Sequence, residues 1–162
     1  MESDLCDGTD SSVILNTQCT FAMSDLKLDP FNLILGYSIQ FKVQAVNAYG
    51  ASLYSEPGSG GVMVNVPDAP VNLANDVSVT SDSVIGFIWS DGLSNGGQAI
   101  LDYRVSFDLS TGNYVELATG VTNRFYVTTN TLIAGQTYSF KVEARNSVGY
   151  SAYSEELSIL VA

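Results

Sequence analysis

The sequence predicts an all-β protein built from Greek-key sandwiches in tandem, the first of them N-terminally incomplete. Three observations carry this. One stretch of the chain recurs at a constant step, apolar residues alternate with period two, and turn-forming clusters separate the alternating runs.

The repeat organises the chain. Residues 36–56 align with residues 135–155 without a gap. Phe41, Lys42 and Val43 recur as Phe140, Lys141 and Val142, a step of 99 positions. Ala45, Asn47, Gly50, Ser52, Tyr54, Ser55 and Glu56 recur at the same step as Ala144, Asn146, Gly149, Ser151, Tyr153, Ser154 and Glu155. Leu33 likewise returns as Leu132. That step is about the length of one β-sandwich domain. The second copy begins at Pro67, which puts the start of the first about 33 residues ahead of Met1. The expectation is a partial domain over 1–66, lacking its first two strands, a whole domain over 67–162, and a chain excerpted from a longer array.

In the first copy the inward face carries Phe41, Val43 and Ala45. Without the first two strands that face should be left partly open, with unpaired strand edges. Residues 1–66 alone should therefore be unstable, whereas 67–162 should fold by itself. The glycine-rich stretch Pro57-Gly58-Ser59-Gly60-Gly61 reads as a turn or the bulged start of the last strand. It lacks the lysine and following helix of a phosphate-binding loop. The junction Val66-Pro67-Asp68-Ala69-Pro70 carries two prolines and reads as an extended, semi-rigid connection. In the second copy, alternation marks strands at Ile85-Phe87-Trp89, Tyr103-Val105-Phe107, Tyr138-Phe140-Val142-Ala144 and Leu157-Ile159-Val161. Turn clusters lie at Ser90-Asp91-Gly92, Ser94-Asn95-Gly96-Gly97, Thr111-Gly112-Asn113 and Asn146-Ser147-Val148-Gly149. No segment holds a helical period.

Composition removes several function classes. Six Lys and Arg face seventeen Asp and Glu, a net charge of −11. Phosphate backbones and anionic membranes both need clustered cations, so no nucleic-acid partner and no membrane insertion is expected. The acidity reads first as solubility. Histidine is absent, which removes a Ser-His-Asp triad and the commonest metal ligand. Two cysteines cannot close a zinc site. Nothing places two carboxylates in a shared cleft, and there is no Asn-x-Ser/Thr sequon. The segment Met1–Asp7 has neither the basic start nor the apolar run of a secretory signal. No catalytic residue, cofactor or metal is expected.

Pro67-Asp68-Ala69-Pro70-Val71-Asn72-Leu73 resembles the proline-led first strand of the fibronectin type III family, which has an immunoglobulin-like fold. Ser83–Trp89 is similar to its second strand, ending in the core tryptophan. Asn95–Val105 is similar to its Gly-Gly turn and third strand with a core tyrosine, Tyr103. Leu132–Tyr138 resembles its leucine-and-tyrosine corner, and Phe140–Asn146 the strand that follows. The first copy matches from the third strand onward and has Ile39 where the second has Tyr138. Trp89, Tyr103 and Tyr138 are thus core markers, and the polar tips of Trp89 and Tyr103 should each find a partner.

The resemblance implies a module without enzymatic activity of its own. Cys6 and Cys19, in a chain of extracellular type, read as a disulfide worth about 3 kcal/mol. Two separately buried thiols of a cytosolic protein, or a reactive pair, are the alternatives. A cysteine pair inserted here also resembles the repeats of very large protist surface proteins. Tyr49 and Tyr150 in the hairpin loops, with Tyr54 and Tyr153 beyond, are candidate contact residues, since tyrosine offers area at low entropy cost. Packing on the sandwich is the competing reading. Asp4, Asp7 and Asp10 could offer oxygens to calcium, but read more simply as a solvated acidic turn. Asp68 is a further candidate at the junction. The leading function is a structural spacer or adhesive segment of a large extracellular or cell-surface protein. It would contact neighbouring domains of the same chain and protein partners not named by the sequence. A receptor ectodomain module, an accessory domain of a secreted enzyme and an intracellular titin-like scaffold are the alternatives.

Overall fold

The computed structural model describes residues 5–162. The chain divides into two compact units, Met1–Met63 and Val64–Ala162.

The first unit opens with a short helix, α1 (Ser11–Asn16), which the sequence did not suggest. Six residues are too few to display a period. The helix is set instead by its ends: the Asp10 carboxylate accepts from the Ser12 N–H at 2.7 Å, and Thr17 closes it in the left-handed conformation at φ 50°. A 3₁₀ turn at Asp25–Lys27 buries Leu26. Four strands follow: β1 (Ser38–Phe41), β2 (Val46–Asn47), β3 (Gly50–Ala51) and β4 (Gly58–Val62). β1 pairs antiparallel with β4, and β2 with β3 as a tight hairpin. The glycine-rich stretch is therefore strand, not phosphate cradle. Its register slips between Ile39 and Phe41. That extra residue in β4 carries Met63 into the buried place that Val161 occupies in the second copy.

Strands were expected in this unit from the third onward. Among the described residues none precedes Ser38. The physical reason lies in the local side chains. Asp7 accepts from the N–H and hydroxyl of Thr9, and Asp10 from those of Ser12. Such bonds two residues ahead offer the backbone a turn in place of a ladder. Leu26, Ile39 and Met63 form the buried cluster, with Leu5, Phe21, Phe31 and Leu33 partly covered around it.

The second unit contains β5 (Val71–Asn75), β6 (Gly86–Ser90), β7 (Asp102–Phe107), β8 (Val115–Val121), β9 (Phe125–Val127), β10 (Thr137–Arg145) and β11 (Leu157–Leu160). They form two sheets ordered β5-β6-β9 and β11-β10-β7-β8, with every pairing antiparallel. The chain crosses between sheets as a Greek key does. Alternate residues of β6, β7 and β10, with Ile85 just ahead of β6, point inward and make one core: Ile85, Phe87 and Trp89 face Tyr103, Val105, Phe107, Tyr138, Phe140, Val142 and Ala144. The rings of Phe87 and Phe140 lie 4.7 Å apart, and Trp89 meets Tyr103 edge-on at 5.4 Å. These are the geometries aromatic quadrupoles favour. The Tyr138 hydroxyl receives the Ile133 N–H at 3.1 Å and ties the Leu132 corner to β10. Ile39, the first unit's counterpart, has no hydroxyl and is simply buried.

One expectation about the core requires correction. The Tyr103 hydroxyl does donate to Asp91. The Trp89 indole N–H, however, is buried without a partner. Its ring is clasped by Phe87 and Tyr103, and ring packing fixes the indole without requiring a hydrogen bond.

Beyond the hairpin loop the chain runs beside β10 without regular strand structure, and two serines complete the ladder. The Ser151 hydroxyl receives the Ala144 N–H at 3.0 Å while its own N–H donates to the Ala144 carbonyl at 2.8 Å. Ser154 does the same with Val142, at 2.9 Å for both bonds. Ser52 with Ala45 and Ser55 with Val43 repeat the arrangement in the first unit. The repeat in sequence is thus a repeat in hydrogen bonding.

Candidate interaction surface

The contact tyrosines part ways in the structure. Tyr49 sits in the β2–β3 turn, where the Asn47 side chain accepts its N–H at 2.9 Å. Its side chain is 99% exposed on a fixed backbone. Tyr54 is half exposed in the same unit. Tyr150 is partly covered, because the Arg104 guanidinium lies 4.2 Å from its ring centre and that of Arg145 lies 5.4 Å away. Tyr153 is half exposed, with the Lys141 ammonium 6.0 Å from its ring. Tyr49 of the first unit is therefore presented, Tyr150 of the second is engaged by cations of its own sheet, and Tyr54 and Tyr153 are equally exposed.

That engagement belongs to a charged ladder on the outer face of β10 and β7. Glu143 pairs across the sheet with Arg104, and Arg145 with Asp102. Both arginines bind their carboxylates through two nitrogens; for Arg104 the distances are 2.6 and 2.7 Å. Lys141 lies 4.3 Å from the Tyr114 ring, and the Tyr114 hydroxyl donates to Glu156 at 2.6 Å. That bond holds the Glu156 carboxyl below its ordinary range, while burial first, then Glu156, pushes the Tyr114 hydroxyl up. Asp91 binds the Arg124 guanidinium at 2.9 Å, which lowers its carboxyl, while burial and Asp91 raise Tyr103 to about 12. Sequence reading passed over this ladder. Its signal was present: the outward positions of β7 read Asp102, Arg104 and those of β10 read Glu143, Arg145, opposite signs once the strands run antiparallel.

The remaining sequence candidates are placed as follows. Cys6 and Cys19 are joined as a disulfide, their Cα atoms 5.8 Å apart. Asp7 and Asp10 serve as turn and helix caps, and hydrogen bonding to Thr9 and Ser12 holds both carboxyls below their usual range. Asp4 lies outside the described residues. Asp68 accepts the Ser94 N–H at 3.0 Å. No cluster of metal-ligating side chains is found among the described residues.

The first unit also holds an apolar groove of about 580 Å³, lined by Leu5, Phe21, Phe41, Val43 and Tyr54 beside the disulfide. In the second unit β6 covers the corresponding face. Phe140 and Val142 are fully buried there, whereas Phe41 and Val43 are 46% and 71% exposed. No helix of the described residues is long and apolar enough to cross a membrane.

Residues 68–159 match the fibronectin type III domain family, and the chain belongs to that family. Such domains are commonly structural or protein-interaction modules of multidomain proteins, found outside cells and inside them. A crystal structure of titin domains superposes with a TM-score of 0.57 at 21% identity, covering 71% of this chain and 38% of that one. The twitchin kinase region from C. elegans gives 0.52 at 20% identity, covering 60% and 17%. A solution structure of a human fourth FNIII domain gives 0.52 at 26%, covering 60% and 80%. The chain thus spans well under half the length of the titin structure.

Proposed function

We propose that this chain is a non-catalytic spacer or adhesive segment of a large extracellular or cell-surface protein, working through protein–protein contacts. The observation that carries the reading is the use of the charged groups in the second unit. Asp91, Asp102, Glu143 and Glu156 are each bound to arginine or tyrosine of the same sandwich. Groups held in this way brace a fold; acid–base chemistry needs a group facing a substrate. Tyr49 supplies exposed contact area on a fixed hairpin. The pairing of Cys6 with Cys19 supports an oxidising compartment. Intact-mass measurement of natively produced protein, with free thiols alkylated before and after reduction, tests this. Cys6 and Cys19 should take up alkylating groups only after reduction. Alkylation of both without reductant would place the chain inside the cell, as a scaffold.

A further inference from the structure

The segment leading into the second unit carries two prolines, and rigidity there would ordinarily be credited to them. Proline fixes φ at its own position, and Pro67 and Pro70 are both buried. The path of the backbone between and ahead of them is set by hydrogen bonds. The Asn65 N–H donates to the Gly96 carbonyl at 2.8 Å and the Asp68 N–H to the Ser94 carbonyl at 2.9 Å. The Ser94 N–H returns a bond to the Asp68 carboxylate at 3.0 Å.

These bonds converge on Asn146. Its side-chain amide donates to the Asn65 carbonyl at 2.7 Å and the Asn95 carbonyl at 2.9 Å. Its side-chain oxygen accepts from the Val148 and Gly149 N–H groups at 2.8 and 3.2 Å. Two donors and two acceptor positions are the full capacity of an asparagine side chain, and here all four are used at 2% exposure. One residue thereby joins the lead-in segment, the 94–97 loop and the hairpin tip. The loops are shaped to receive the segment. A Cβ on Gly92 would fall 2.7 Å from the Ala69 carbonyl, and one on Gly96, at φ +73°, would strike the carbonyl of Asn65. At the equivalent position of the first unit, Asn47 is exposed and its side-chain oxygen caps the hairpin through Tyr49. The repeat thus separates two roles of one side chain: the oxygen caps the turn, and the amide holds the lead-in segment.

We propose that Asn146 is a latch that makes residues 64–69 a fixed part of the second unit rather than a hinge. The latch stands on the geometry of this unit alone. Its use, to carry tension into the sandwich without slack, rests on the spacer reading above.

Amide hydrogen exchange on the full chain tests the latch. In the unaltered protein the Asn65 and Asp68 amides should exchange far more slowly than exposed loop amides. Asn146→Asp keeps the oxygen that caps the hairpin but replaces the donor with charge facing two carbonyls. It should speed exchange at Asn65 by at least about tenfold, with Phe140 and Val142 unchanged. Gly96→Ala, which displaces the Asn65 carbonyl without touching Asn146, should do the same. If Asn65 and Asp68 already exchange as free loop in the unaltered protein, the latch is wrong. It is equally wrong if Asn146→Asp leaves the exchange rate of Asn65 as unchanged as that of Phe140, the result expected of a residue that only caps its turn. Cysteine mass measurement tests the spacer's compartment separately, so the two ideas fail independently.

Discussion

Trp89 shows what single residues do in this molecule. Its ring contacts Phe87 and Tyr103 at the centre of the only large core among the described residues. Trp89→Ala should cost about 3–5 kcal/mol, a large share of the stability of a small domain; urea unfolding followed by circular dichroism reads it. Tyr103 makes a pH-dependent contribution. Its hydroxyl is raised from 10 to about 12 by burial and by Asp91. A raised folded value favours the protonated form, so this stabilisation is complete below pH 10 and is lost as pH rises through 12. Stability measured from pH 9 to 12 should therefore fall more steeply for the native sequence than for Tyr103→Phe. An equal slope would remove Tyr103 from the account.

Between elements, the paired serines allow an internal comparison. Ser154 completes a ladder at buried Val142, and Ser55 does the same at exposed Val43. Ser154→Ala strands a buried N–H and should cost about 1–3 kcal/mol. Ser55→Ala leaves its N–H to water and should change stability by less than about 0.5 kcal/mol. Equal effects in denaturant titrations would mean that burial is not what sets the value of these bonds.

The same contrast explains which elements were legible. β6, β7, β10 and β11 each carry core apolar side chains at alternate positions, and that period-two alternation announces them. β8 pairs with β7 through two register shifts and carries Gly120 at φ +69°, which break the alternation. β9 has three residues, too few for any pattern. Helix α1, with six residues, is also too short to show a period, and the turn-forming aspartates before it outweigh the strand expected from the repeat. Of the contact tyrosines, exposure at Tyr49 could be read from a hairpin tip. The cover over Tyr150 depends on arginines 46 and 5 positions away in the chain, which only the sheet register brings close.

For the whole molecule, the two units differ in how much core each assembles. The second closes two sheets over a continuous aromatic and aliphatic interior. The first gathers a small cluster around Leu26, Ile39 and Met63 and leaves a groove where the second places β6. A core of that size offsets little chain entropy. The disulfide constrains the unfolded first unit, so reduction should destabilise residues 1–63 by about 3 kcal/mol and leave the unfolding of the second unit unmoved. Limited proteolysis with and without reductant reads both effects, and new cleavage within 64–162 on reduction would contradict it.

The most direct test of the account is to unfold residues 64–162 and residues 1–66 as separate fragments in urea. Trp89, the only tryptophan, reports the first by fluorescence, and circular dichroism reports the second. The account predicts one cooperative transition for 64–162, superimposable on the Trp89 transition of the full chain, and none for 1–66. A non-cooperative 64–162, or a cooperative 1–66, would contradict the division into one self-sufficient sandwich and one open unit.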